Sequence, residues 1–304
     1  MSRDAKYYGG FFWLAAISFI VPLFVGISAF KAAAPTTKPT PVLDASGVDH
    51  AVWDYLLKAY VSNGLVDYDG MKRDHLFREY LRELGAANPD ALESDADRLA
   101  LMCNAYNAFV INGVISHKIS GSVTDFQPEV PDESYKGIWF FDVKEHIFAG
   151  KTISLNHLEH ETIRPTFKEP RVHVALVCAA RSCPSIRAEA FVGERIDQQL
   201  EDQSKQFANN SKYVNYNAET SKIDLSSILD WYGSDWDAKY PSGSYLSWIA
   251  GLTDNDELKT KLVAAISGEV EKNFLKYDWS LNSQGKPSSG HSSGEFGSGS
   301  IQTE

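Results

Sequence analysis

The patterning of this 304-residue chain predicts a mostly helical globular domain with a small β-sheet or hairpins, preceded by one N-terminal transmembrane helix. Three observations lead there. Tyr7 to Phe30 carries no charged residue, which exceeds the ~18–20 apolar residues needed to cross a bilayer. From Asp49 onward, several stretches repeat apolar residues at helical spacing. Between them lie short β-rich runs punctuated by turn residues.

The N-terminal run is apolar on every face, unlike a surface helix of a soluble domain. Arg3 and Lys6 precede it and Lys31 follows; Pro22 would kink the span, which membrane helices tolerate. Residues 1–8 are then a short N-terminal segment. Residues 9–30 are a transmembrane signal anchor, or a signal peptide with Gly26 and Ser28 at the small-residue positions. An anchor gives a single-pass protein with its domain outside the cytoplasm, and a cleaved signal gives a secreted one. A Pro- and Thr-rich linker at 31–48, a globular domain at 49–282 and a Gly/Ser-rich disordered tail at 283–304 complete the order.

Within the domain, "DHAVWDYLLKAYV" places Val52, Tyr55, Leu56 and Ala59 on one stripe. "RDHLFREYLRELGAANPD" resumes a helix through Leu76, Tyr80 and Leu84. "SDADRLALMCNAYNAFVINGVISHK" opens with Ser94 as N-cap and Asp97 in capping-box position, and predicts a long buried helix. Asn104 and Asn107 share a face of that helix, and buried amides require partners. "YKGIWFFDV" and "HIFAGKTISL" read as short β-rich runs, with a hairpin turn at Ala149-Gly150-Lys151. "SLNHLEHETIRP" is a short helix capped by Ser154 or Asn156 and ended by Pro165. "RVHVALV" reads as a buried strand, "RIDQQLEDQSKQFANN" as an amphipathic helix, and "KYVNYNAETSKIDLSS" as a hairpin.

Composition limits the function classes. A net charge of -11 argues against a nucleic-acid binder, which needs a basic face. Three cysteines are too few for a disulfide framework. Walker A, strand-linked G-x-G-x-x-G and G-x-S-x-G patterns are missing from the sequence, so no cofactor is expected. His157 and His160 stand three apart beside Glu161, unlike the i, i+4 imidazoles of H-E-x-x-H, and no metal site is expected.

The segment from Arg171 to Arg187 contains Cys178, Cys183, His173 and three arginines but no acid. Local positive charge lowers a thiol's pKa and favours the nucleophilic thiolate. Were His173 to Cys178 extended, the two would face opposite sides. A turn through "AARS" would return Cys183 toward either face. Glu159, His160 and Arg164 form either a polar network or a carboxylate-held catalytic histidine.

Taken in order, "VDYDGMKRD", "NAYNAFVINGV", "ISLNHLEHETIRP", "PRVHVALVCAARSCPSIR", "LDWYGSDW" and "YDWSLN" resemble segments of the family called domain of unknown function 547, from about Asp49 to Asn282. The resemblance implies an α+β domain of largely helical character and implies no activity. Its motif residues correspond here to Asn104, Tyr106, Asn107, Glu159, His160, Arg164, His173, Cys178, Cys183 and Pro184. Met102 and Cys103 replace a bulky apolar pair, so Cys103 reads as a core residue.

Two functions stay open. In the first, a thiol-dependent hydrolase or acyl transferase, Cys183 or Cys178 attacks a carbonyl with His160 or His173 as base, Glu159 orienting a histidine. Asn104, Asn107 or a backbone amide then polarises the oxyanion, with Tyr106 and Arg164 in the binding set. In the second, a non-catalytic binding module, a Cys178–Cys183 disulfide stiffens the loop while Arg181 and Arg187 recognise an anion. The partner in either case is a small molecule or peptide of unknown identity.

Overall fold

The computed structural model describes residues 42–129, 137–239 and 244–285. The expected membrane span at 9–30, most of the linker and the tail beyond residue 285 lie outside the described residues. The helices are α1 His50–Tyr60, α2 Tyr68–Arg73, α3 His75–Ala86, α4 Asp95–Ser116, α5 Trp139–Asp142, α6 Arg164–Phe167, α7 Ile196–Ala208, α8 Ile228–Lys239, α9 Ser244–Leu252 and α10 Asp256–Ile266. Strands β1 Val61–Ser62 and β2 Leu65–Val66 form one antiparallel pair, and β3 His146–Phe148 and β4 Lys151–Ile153 another. The three-stranded sheet, ordered β5-β6-β7, joins the hairpin of β5 Val214–Asn217 and β6 Lys222–Leu225 to β7 Glu271–Phe274, which runs parallel to β6. The architecture is α+β, with the helices dominant.

Helix α4 is the axis of the larger core. Ser94 caps it by accepting the Asp97 amide at 3.0 Å. From Leu99 to Ile111 every residue is buried. It is long and apolar enough to cross a membrane, yet the domain encloses it. Around it, α1 presents Val52, Trp53, Leu56 and Leu57 rather than the Tyr55–Ala59 side of the expected stripe. Trp53 draws the helix round because its ring stacks on Tyr80 of α3 at 5.2 Å, nearly parallel. A second core gathers α7 to α10 over the three-stranded sheet, with Trp236, Phe207 and Ile249 at its centre.

Three expectations are corrected. "IWFFD" is a helical turn rather than part of a β-run: α5 buries both Phe140 and Phe141, whereas successive strand residues point to opposite faces. "RVHVALV" is not a strand. Pro170–Val174 forms a 3-10 turn, and Val172 through Val177 are all buried. A continuous apolar run carries no period that separates the two possibilities. Its backbone is satisfied by side-chain amides instead of a ladder: Asn107 donates to Ala175 O and accepts from Val177 N–H, both at 3.0 Å, and Gln203 donates to Val174 O at 3.1 Å. Third, Pro165 does not end its helix. His157–Ile163 is a π-helix running directly into α6, and the left-handed Lys168 stops it. Pro165 sits in the first turn of α6, where its missing N–H costs little.

Candidate functional site

The site is assembled from the π-helix, the Cys178 turn, α8 and the C-terminal strap. Ser154 caps the π-helix through the His157 amide at 3.1 Å, and the wide turn presents Glu159 inward. π-Turns of this kind are frequent at functional positions. Glu159 is buried beside Tyr106 of α4 and Tyr232 of α8, and lies 3.7 Å from His173 Nδ1.

Beside it is an ion-paired group. Arg164 donates from Nε (2.8 Å) and Nη2 (2.9 Å) to the two oxygens of Asp235, a bidentate arrangement. The His173 ring donates from Nε2 to Asp235 Oδ2 at 2.8 Å and stacks on Tyr232 at 4.0 Å. Burial alone would raise the Asp235 carboxyl, but the His173 and Arg164 hydrogen bonds hold it far below the usual carboxylate range. Arg164 Nη1 also donates to His160 Nδ1 at 2.6 Å. A guanidinium only donates, so His160 is neutral with its proton on Nε2. Burial lowers the His160 pKa in agreement. His160, Arg164 and Asp235 line a cleft of about 990 Å³, together with Asp142, Lys144 and Lys168.

The sulfurs sit beside this network, on a turn that the C-terminal strap holds. Ala179 takes a left-handed φ of 59°, a costly conformation for a residue with a Cβ. Ala179 O accepts from Asn282 N–H, and Arg181 N–H donates to Ser280 O at 2.8 Å. This strap carries Tyr277 to the thiol: Cys178 Sγ and Tyr277 OH are 2.9 Å apart. Cys183 folds beneath, its Sγ accepting the Cys178 amide at 3.0 Å. Cys178 is half-buried and Cys183 buried. Burial pushes the Cys178 thiol up, yet hydrogen bonds from the Cys183 thiol, Tyr277 and the Ala180 amide outweigh it and lower its pKa. Cys183 is raised well above the ordinary thiol range by burial and by its neighbour sulfur. Cys103, enclosed in α4, is also raised by burial.

The residues singled out from sequence therefore divide. Glu159, His160, Arg164 and His173 form one cluster, with Tyr106 against Glu159, and Cys178 and Cys183 form another. Among the described residues no histidine hydrogen-bonds either sulfur. The amide of Asn104 is spent on Phe191, donating to its carbonyl at 2.8 Å and accepting its N–H at 2.9 Å. Asn107 is likewise committed to the backbone ahead of Cys178. Both asparagines are positioning residues. Arg187 is paired with Glu189 and Asp202. Arg181 has no ion-pair partner among the described residues and lines a cavity of about 340 Å³ beside Cys183 and Lys212. Sequence reasoning missed Asp235, Tyr232 and Tyr277 as site residues, although each lies in a segment that carried the resemblance.

Fold and site together define an α+β domain with a paired-thiol turn beside a buried carboxylate–histidine–arginine network. The family described as "Protein of unknown function, DUF547" matches residues 89–208, and this match supports a place for the chain in that family. The matched stretch contains α4, the π-helix and both cysteines, while Asp235 and Tyr277 fall beyond it. No curated protein and no solved structure matches the chain.

Proposed function

We propose that the domain is a thiol-dependent acyl-transfer enzyme, a hydrolase or acyl transferase, with Cys178 as its nucleophile. One observation carries this reading: the sulfur of half-buried Cys178 lies 2.9 Å from the Tyr277 hydroxyl, and its pKa is lowered despite burial. The lowered pKa favours the thiolate, which needs no base to attack. As sulfur charge passes to the carbonyl oxygen, the Tyr277 hydroxyl and Ala180 N–H are the nearest donors to follow it. With no imidazole at the sulfur among the described residues, the leaving group departs as a weak base. Thioesters and activated esters suit that requirement better than amides, whose nitrogen must be protonated. Cys183, buried and with a raised pKa, supports rather than attacks.

The test uses reduced protein and an acetyl thioester, followed by peptide mass mapping. One acetyl group on Cys178, lost in Cys178→Ser and kept in Cys183→Ser, is the expected result. Acetylation unchanged in Cys178→Ser overturns it. The apolar segment at residues 9–30 supports a domain tethered outside the cytoplasm or secreted. Carbonate-resistant sedimentation with the membrane fraction, abolished by deleting residues 9–30, separates anchor from cleaved signal.

A second reading, an anion-binding module, is favoured by Arg181 and its cavity. Phosphate or acetate titration followed by thermal shift tests it. Equal stabilisation of the parent and of Arg181→Gln rules it out.

A further inference from the structure

We infer that Cys178 and Cys183 are a peroxide-oxidisable dithiol, in which Cys178 reacts with a hydroperoxide and Cys183 resolves the product into a reversible disulfide. The geometry carries this. The turn through Ala179, with its left-handed φ, folds residue 183 back so that Cys183 Sγ lies 3.0 Å from the amide nitrogen of Cys178. Both cysteines are free thiols within this one turn. Cys178 is the more exposed residue of the two, while Cys183 is 4% exposed, its Sγ also 3.9 Å from Leu176 O. An accessible attacking thiol with a buried resolving thiol next to it is the arrangement that redox-responsive pairs require. The third cysteine, Cys103, is fully buried in α4 and so not available to compete.

The electron balance is simple. The Cys178 thiolate attacks the terminal oxygen of R–O–O–H, the O–O bond breaks, and the alkoxide leaves and takes a proton from water. Cys178 is then a sulfenic acid. The Cys183 sulfur attacks it, the S–S bond forms and the S–O bond breaks. The Cys183 proton departs with the hydroxide as water. Overall, two thiols and one hydroperoxide give one disulfide, one alcohol (or water) and one water. A small dithiol reverses it by exchange at the partly exposed Cys178 sulfur. Because Cys178 is also the proposed acyl nucleophile, the disulfide would switch that chemistry off.

This rests on Cys178 being the reactive thiol, as in the reading above, but it is tested separately. Full-length reduced protein is treated with one equivalent of hydrogen peroxide and analysed by intact mass and peptide mapping. The expected result is loss of two hydrogens per chain, a 178–183 linkage, and a fall of roughly tenfold or more in iodoacetamide labelling that dithiothreitol reverses. Cys183→Ser is expected to stop at a Cys178 sulfenic acid, captured by dimedone. Sulfinic acid at Cys178 without a bridge, a bridge to Cys103, or no dimedone adduct in Cys183→Ser overturns the inference. Acetyl transfer to Cys178 without bridging leaves the enzyme reading standing and this one rejected. Bridging without acetyl transfer does the reverse.

Discussion

The polar groups that meet near Glu159 are built from different materials. On one side, Arg164, His173 and Asp235 interact mainly through charge: a guanidinium grips both carboxylate oxygens and an imidazole takes a third bond. On the other, Cys178 is held by a phenol, a thiol and a peptide N–H, all neutral. A carboxylate neutralised by a guanidinium is fixed and unreactive. A sulfur contacted by neutral dipoles, with no cation against it, has its pKa lowered without being neutralised, which favours the nucleophilic thiolate. In the function proposed above, the first cluster is the brace and the second the reactive group. His146 supplies the baseline, because it is buried with no hydrogen-bond partner and its nearest carboxylate, Glu145, stands 3.8 Å from Nε2. Both of its ring nitrogens lack hydrogen bonds, it stacks on Phe109 at 5.0 Å, and burial pushes its pKa down to about 4.

The largest effect is expected from Cys178→Ser, which should lower acetyl transfer by about a thousandfold or more while leaving the thermal midpoint nearly unchanged. If Cys183→Ser has the larger effect, the assignment of attacking and supporting sulfurs is reversed. Next is Asp235→Ala, which strands Arg164 and His173 in a partly buried site and should cost roughly 3 kcal/mol in urea unfolding. The pH dependence has a defined sign. The Asp235 pKa is depressed in the fold, so its stabilisation is present above the unfolded carboxyl pKa of about 4 and is lost as pH falls below it. Asp235→Asn should flatten that acid limb, and an unchanged limb breaks the contrast between the two clusters.

His146 comes third. Its folded pKa of about 4 lies below the ordinary 6.5, so the unfolded chain binds the proton first. Stability should be full above pH 6.5 and fall by roughly 2–3 kcal/mol as pH drops toward 4. His146→Phe should remove that slope, read as unfolding free energy at pH 7 and pH 4.5. The smallest effect is Tyr277→Phe. Removing this contact should raise the Cys178 pKa and slow iodoacetamide labelling at pH 7 by up to about tenfold. A pH–labelling profile identical to that of the parent would show that the phenol does not hold the thiolate.

How much of this was legible in the sequence depended on how far apart the partners lie. The Ser94 cap, the Ala149-Gly150 hairpin and the β5–β6 hairpin involve neighbours only, and each appears where local spacing placed it. The network containing Arg164 and His160, four residues apart, is legible for the same reason, as is the turn that returns Cys183 toward Cys178. Asn104 and Asn107 were recognisable as buried amides in need of partners, but not as clamps on Phe191 and on the backbone before Cys178. Asp235 lies 71 residues from Arg164, and Tyr277 lies 99 from Cys178. No periodicity encodes such a pairing. The apolar run before Cys178 misled because burial on all sides erases the alternation that marks a strand.

The sequence by itself therefore determined the helix-rich α+β character, the caps and hairpins, and the candidate set Glu159, His160, His173, Cys178 and Cys183. Helix period, turn chemistry and side-chain type act over a few residues, and the chain states them directly. Tertiary structure alone decided that the histidines serve a carboxylate and an arginine rather than a sulfur. It also decided that Cys178 is the more exposed of the two cysteines, and that a tyrosine hydroxyl from the C-terminal strap lies 2.9 Å from its sulfur. Those outcomes depend on which distant groups share a buried volume, where a low dielectric makes each hydrogen bond count.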